Sequence, residues 1–171
     1  MRHLVLVGLP GSGKSVLGAA AAELLGAPCT DIDALLVRRM QMPMERIFGE
    51  QGEARFRELE QEAVAAALAA PPGVVVPGGG WAAQPGALES VRPAAFLIYV
   101  KVPPTVAAAR ISGGEVRPLL AGGSLLERMR TLLREREPFY LRADAEVGND
   151  KAPPAAAAAQ VVRLARQYAG W

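Results

Sequence analysis

The chain of 171 residues has one cysteine, one histidine and only three lysines. A lone thiol, Cys29, forms no intrachain disulfide, which points to a reducing, cytoplasmic setting. Aromatic residues make up 5% of the chain, so aliphatic side chains must fill most of any core. No apolar run reaches the roughly 18–20 residues that a membrane span requires. Gly8 and Pro10 also interrupt the opening Met1–Val7 segment too early for a cleaved leader. Charge of one sign is scarce as well, with 19 Lys and Arg against 17 Asp and Glu. That balance, without an aromatic–basic platform, argues against nucleic acid as a partner. What remains is 51% apolar composition in a length that suits one domain, 1–171. Such content excludes global disorder.

Sixteen of the basic residues are arginine. Guanidinium groups suit bidentate recognition of phosphate or carboxylate. Because Ala, Pro and Gly are abundant too, the excess by itself reads as composition, and each arginine is weighed by its position.

Short aliphatic runs alternate with helical stretches. His3–Val7 reads as a buried strand, followed by a Gly-rich turn and a helix over Lys14–Leu25 that Gly26 ends. Cys29–Asp33 forms an apolar-to-acidic junction before a helix to about Met40, and Pro43 opens another short one. The best helical pattern covers Gly52–Ala70, with Phe56, Leu59, Ala63, Ala66 and Leu68 on its apolar side. Val74–Val76, Phe96–Val100 and Ala145–Val147 read as further strands. Helices are expected over Gly86–Val91, from Pro103 to about Ile111, over Ser124–Glu137 and over Ala155–Tyr168. Strand-then-helix order implies an α/β three-layer sandwich around a mostly parallel five-stranded sheet. Cys29, Met40, Met42 and Met44 are expected to pack in the interior. His3, with no ligand-spaced partner, is read as structural or exposed.

Gly8-Leu9-Pro10-Gly11-Ser12-Gly13-Lys14-Ser15 matches the phosphate-loop pattern G-x-x-x-x-G-K-[ST] in full, between a buried strand and a helix. Glycines let backbone N–H groups turn inward around phosphate oxygens, and the helix N-terminus adds a favourable dipole. The nucleotide-binding set is Gly11, Ser12, Gly13, Lys14, Ser15 and Val16. Lys14 is placed to reach the β- and γ-phosphates, and Ser15 to ligate Mg²⁺. The chain therefore reads as a binder of a nucleoside triphosphate. It lacks the N-K-x-D base-reading motif of GTPases, and Val74–Val76 runs into Pro77-Gly78-Gly79-Gly80 where motor-type ATPases carry an acidic residue. The acidic group must come from elsewhere, and Asp31 and Asp33 stand where a parallel strand would end.

Beyond the loop, Asp31-Ile32-Asp33 is followed by Ile47-Phe48, Gly52-Glu53, Phe56-Arg57 and Glu60. Gly78-Gly79-Gly80, Arg117-Pro118-Leu119-Leu120 and Arg136-Glu137-Pro138-Phe139-Tyr140 then come in order. With these motifs the chain resembles the shikimate kinases, small P-loop phosphotransferases, over nearly its whole length. The resemblance implies a P-loop NTPase fold, a mobile lid over about 112–124 and an acceptor-binding helical segment over about 33–61. It implies ATP as phosphoryl donor with Mg²⁺, and shikimate as acceptor in a monomeric enzyme of aromatic amino-acid synthesis. Asp33 would meet the hydroxyl to be phosphorylated as base or orienter, and Asp31 would hold the Mg²⁺ shell. Arg57 and Arg136 would grip the acceptor carboxylate, Gly79 and Gly80 would offer backbone N–H groups, Arg117 would act from the lid, and Arg110 would lie near the adenine.

Each residue also has a plainer reading. Asp31 and Asp33 suit a helix N-terminal cap, and Arg57, between Glu53 and Glu60, suits surface ion pairs. Arg136 shares its helix with Arg128, Arg130 and Arg134, a solvated basic face by default, and the triple glycine and Arg117 also suit passive turns. Trp81 follows the triple glycine where the family usually has a small aliphatic residue, and Pro77 precedes it, so the indole either reshapes the acceptor pocket or packs beneath the adjacent helix. Gly148-Asn149 likewise replaces the family's acidic turn beside the adenine. A kinase for another carboxylated polyol, such as gluconate, and a catalytically silent nucleotide-binding module remain the other readings.

Overall fold

The computed structural model describes residues 1–113 and 124–171. Five strands, β1 (His3–Val7), β2 (Cys29–Asp31), β3 (Val74–Val76), β4 (Ala95–Lys101) and β5 (Ala145–Gly148), make one sheet. Their order is β2-β3-β1-β4-β5, and every pairing is parallel rather than most of them. The helices are α1 (Lys14–Leu25), α2 (Ile32–Met40), α3 (Met44–Leu68), α4 (Ala87–Val91), α5 (Pro104–Ser112), α6 (Leu125–Tyr140) and α7 (Pro154–Tyr168). A 3₁₀ turn at Trp81–Ala83 follows the glycines. Arg117 and most of the expected lid lie outside the described residues.

Strand alternation sends successive side chains into two cores. Val5, Val7, Val75, Leu97 and Tyr99 meet residues of α2 to α6, whereas Leu4, Leu6, Val74, Val76 and Ile98 meet α1 and α7. Covering both faces explains why β1 is apolar without interruption from Leu4 to Val7. The C-terminal ends of β2, β3 and β1 consequently lie side by side, and the loops that carry the chemistry leave from those ends.

The two helices expected here, a short one opened by Pro43 and a longer one from Gly52, follow one another within α3. They are separated by non-helical backbone at Gly52, whose φ of 77° and ψ of 162° suit glycine almost alone. The interior face of α3 is Ile47, Phe56, Glu60, Ala63 and Val64, while Ala66, expected on the apolar side, is exposed. Helix α6 also extends past the expected end at Glu137 through Pro138 to Tyr140. A proline this late removes one N–H, and the Leu141 amide still closes the turn on the Glu137 carbonyl at 2.9 Å.

Cys29 is exposed on edge strand β2, contrary to the packing role expected for it. Met40, Met42 and Met44 do pack, half-buried, against the core. His3 is buried, and its Nδ1 accepts from the Gly73 amide at 3.3 Å.

An added Cβ at Gly52 would meet nothing within 4 Å, so Gly52→Ala isolates the backbone penalty. Urea unfolding of this variant is expected to show a loss of about 1–3 kcal/mol. Unchanged stability would mean that the bend is not held against strain.

Candidate active site

The phosphate loop joins β1 to α1, and Gly13, at φ 84°, caps the helix in the left-handed region. A cavity of about 220 Å³ opens there. Gly11, Gly13, Lys14, Ser15, Val16, Asp31, Asp33 and Gly79 all line it, so one space gathers most of the sequence candidates. The Val16 side chain is itself exposed, which leaves its backbone to the loop. Lys14 is buried, and its Nζ donates to the carbonyls of Gly8 and Leu9, each at 2.8 Å. Ser12 is enclosed within the loop, with its Oγ 3.4 Å from Lys14 Nζ.

Asp31 does two things at once. Its Oδ1 accepts from the Ala34 amide at 3.0 Å, capping α2, and its Oδ2 accepts from the Ser15 hydroxyl. The cap reading and the metal-shell reading are therefore compatible. A hydroxyl and a carboxylate meeting at a phosphate loop form the sparse oxygen donor set that suits Mg²⁺, which keeps several waters and uses few protein ligands. Among the described residues no group of three or more His, Cys, Asp or Glu gathers into a fuller metal cage.

Asp33 lies in the first turn of α2 and faces the glycine turn after β3. A Cβ at Gly78 would sit 2.6 Å from Glu60 Oε1 and 3.1 Å from Asp33 Oδ1, so both carboxylates converge on this residue. Glu60 is completely buried. Its Oε2 accepts from Arg57 Nη1 at 2.7 Å, and its Oε1 accepts from the Gly78 amide at 3.1 Å. The plainer reading of Arg57 in a surface ion pair is thus corrected, because its pair with Glu60 is an interior one. Burial raises the Glu60 carboxyl above its usual range and the Asp33 charge adds to this, against the opposing pull of Arg57 and the Gly78 N–H.

The Arg57 guanidinium lies 5.2 Å from the Phe56 ring centroid and so close to Gly80 that a Cβ there would clash with it. On the far side of the turn, the Tyr140 hydroxyl donates to the Gly79 carbonyl at 2.5 Å. Arg136, one helical turn before Tyr140, is half-buried and lies beside that hydroxyl, whereas Arg128, Arg130 and Arg134 are exposed. Arg57, Gly79, Gly80 and Arg136 therefore surround a single turn.

Arg110 donates to the carbonyls of Ser12 at 3.1 Å and Asn149 at 2.5 Å, while Asn149 Nδ2 reaches Ser12 O at 2.8 Å. Asn149 thus clips the β5–α7 loop onto the phosphate loop. Trp81 is 1% exposed, and its Nε1 donates to Gln61 Oε1 at 2.9 Å. It is bonded to α3 and is not among the residues that line the phosphate-loop cavity. Glu60 and Tyr140 received no role of their own from sequence. The available signal for Glu60 was its place on an otherwise apolar stripe with Phe56, Ala63 and Val64.

A protein-family model described as shikimate kinase matches residues 10–166. The chain belongs to the shikimate kinase family. A shikimate kinase of Mycobacterium avium is 43% identical over 139 residues, which cover 81% of this chain and 78% of that one. The solved shikimate kinase of Acinetobacter baumannii, in complex with shikimate, matches with a TM-score of 0.91 at 26% identity. That match covers 98% of this chain and 94% of the other. A gluconokinase of Sinorhizobium meliloti matches at a TM-score of 0.63 and 22% identity, over 99% of this chain and 96% of that one. At that identity the likeness concerns the fold alone. Within the shikimate kinase fold, no described helix is long and apolar enough to cross a membrane.

The raised Glu60 carboxyl has a definite sign in stability. Protons are held more tightly in the folded state, so the stability linked to Glu60 is fully present below about 4.5 and is lost as pH rises through its higher folded value. Thermal unfolding of the wild type and of Glu60→Gln, from about pH 4 to about pH 7, is expected to show the gap shifting steadily in favour of Gln. A pH-independent gap would contradict the assigned shift.

Proposed function

We propose that this kinase transfers the γ-phosphate of ATP to the 3-hydroxyl of shikimate. The observation that carries the reading is the glycine turn. One of its sides faces the phosphate-loop cavity through Gly79, and the other faces Arg57 and Arg136. A carboxylated ring seated there would lie between a phosphoryl donor and a pair of guanidinium forks, the geometry that carboxylates favour. Arg57 supports this placement further, since its buried Nε has no hydrogen-bond partner among the described residues.

ATP phosphates would occupy the loop between Gly11 and Val16, at the positive end of α1. Lys14 donates to neutral carbonyls, and an anionic phosphate oxygen is the stronger partner, so Lys14 would exchange onto the phosphates. Ser15 and Asp31 would hold Mg²⁺, which when bound offsets charge on the β- and γ-phosphates. Asp33 orients the acceptor hydroxyl in line with the γ-phosphorus and takes its proton. The new O–P bond forms as the bond to the bridging oxygen breaks, and ADP leaves with that electron pair. Arg117, with the lid over 112–124, would counter charge on the transferred group and exclude water, the competing nucleophile. Arg110 would border the adenine. We read the enzyme as a cytoplasmic monomer.

The deciding experiment follows ADP release with ATP, Mg²⁺ and shikimate, gluconate or a nucleoside monophosphate in turn. Shikimate is expected to stimulate release far above the others. Preference for gluconate would reassign the acceptor, and no stimulation by any of them would mark a silent binding module. Asp33→Asn is expected to lower kcat about 100-fold to 10,000-fold while ATP affinity stays within about threefold. Near-normal turnover would remove Asp33 from its role.

A further inference from the structure

Tyr140 ends α6, and its hydroxyl has no part in phosphate binding or in the Arg57–Glu60 pair. The side chain has no exposed surface, and its ring lies 5.2 Å, centroid to centroid, from that of Tyr99. Its oxygen donates to the Gly79 carbonyl at 2.5 Å. The Arg136 guanidinium acts on the same oxygen, and the Arg57 charge does as well. Other bonds hold the remainder of the turn, from the Gly78 amide to Glu60, from the Trp81 amide to the Gly78 carbonyl at 3.1 Å and from Gln84 Nε2 to the Gly80 carbonyl at 3.1 Å. The tyrosine links the turn to the helix that bears Arg136.

We propose that Tyr140 is a positioning residue of the acceptor site, its hydroxyl tying the Gly79 carbonyl to the end of α6 so that the glycine turn and Arg136 keep one spacing. This rests on the acceptor reading given above. Burial pushes the phenol up to about 12, so the oxygen keeps its proton and remains a donor at working pH. The hydroxyl touches neither the phosphoryl donor nor the reacting oxygen in this scheme, and it acts through Gly79 and Arg136. Removing it leaves a carbonyl in the turn without its partner. The turn would then drift relative to Arg136, while Lys14, Ser15 and the ATP end stay in place.

Tyr140→Phe keeps the ring against Tyr99 and deletes only the oxygen. Two measurements on the full chain test the tether. Steady-state kinetics with ATP and shikimate are expected to show the shikimate KM raised about 5-fold to 20-fold, with kcat within about threefold and the ATP KM within about twofold. Amide hydrogen exchange without substrates is expected to quicken about tenfold or more at Gly79 and Gly80, with Val75 in β3 unchanged. A variant with wild-type shikimate KM, or with unaltered exchange at the glycines, overturns the proposal, even if its melting temperature falls. Equal losses at the ATP and shikimate KM values also overturn it, because the damage would then be general. If wild-type protein does not phosphorylate shikimate but the exchange changes as expected, the acceptor reading fails and the tether stands.

Discussion

A carboxylate sealed from solvent needs a positive partner and further donors, or it protonates. Glu60 has both, in the Arg57 guanidinium and the Gly78 amide. This arrangement joins the middle of α3 to the end of β3, two elements that otherwise meet through apolar packing. It also sets the height of the glycine turn, because Gly80 packs directly on the guanidinium. A side chain at Gly78 would strike the glutamate, and one at Gly80 would strike the arginine. The small residues and the ion pair are thus a single constraint. Everything assigned to the acceptor is arranged around it.

The opposite wall of the site is built differently. Around the phosphate loop the protein uses backbone groups, a helix terminus and a lysine held against carbonyls. The backbone groups and the helix terminus are fixed by the fold and need no reorganisation when charge develops. The parallel sheet brings the two walls together, since its strand order places the ends of β2, β3 and β1 in succession. Asp31 shows how closely local structure and chemistry overlap, with one oxygen ending a strand-to-helix junction and the other facing Ser15. Asn149 and Arg110 fasten the β5–α7 loop to the outside of the same phosphate loop.

Much of this was legible in the residues. The span of α1 was readable to its ends because a phosphate loop precedes it and Gly26 stops it. Strands with both faces covered announced themselves as unbroken aliphatic runs. Local rules failed where tertiary packing overrode them. The charged pattern of α6 reads to about Glu137, yet Tyr140 is drawn into the core and the helix runs on through Pro138. Ala66 fitted the apolar periodicity of α3 but lies outward, and Cys29 occupies an exposed edge. Glu60 looked like a surface partner for Arg57 because spacing alone carries no information on burial. Tyr140 was visible only as part of a motif, since the carbonyl that it holds is 61 residues away in sequence.

The dependence of the acceptor wall on the buried ion pair is tested most directly by a double-mutant cycle on shikimate binding. Titration calorimetry would compare the wild type with Arg57→Ala, Glu60→Gln and the combined variant. If the pair works as one unit, Glu60→Gln weakens shikimate although it keeps nearly the same shape, and the double variant is little worse than Arg57→Ala alone. Wild-type affinity in Glu60→Gln, or losses that simply add, would contradict the account.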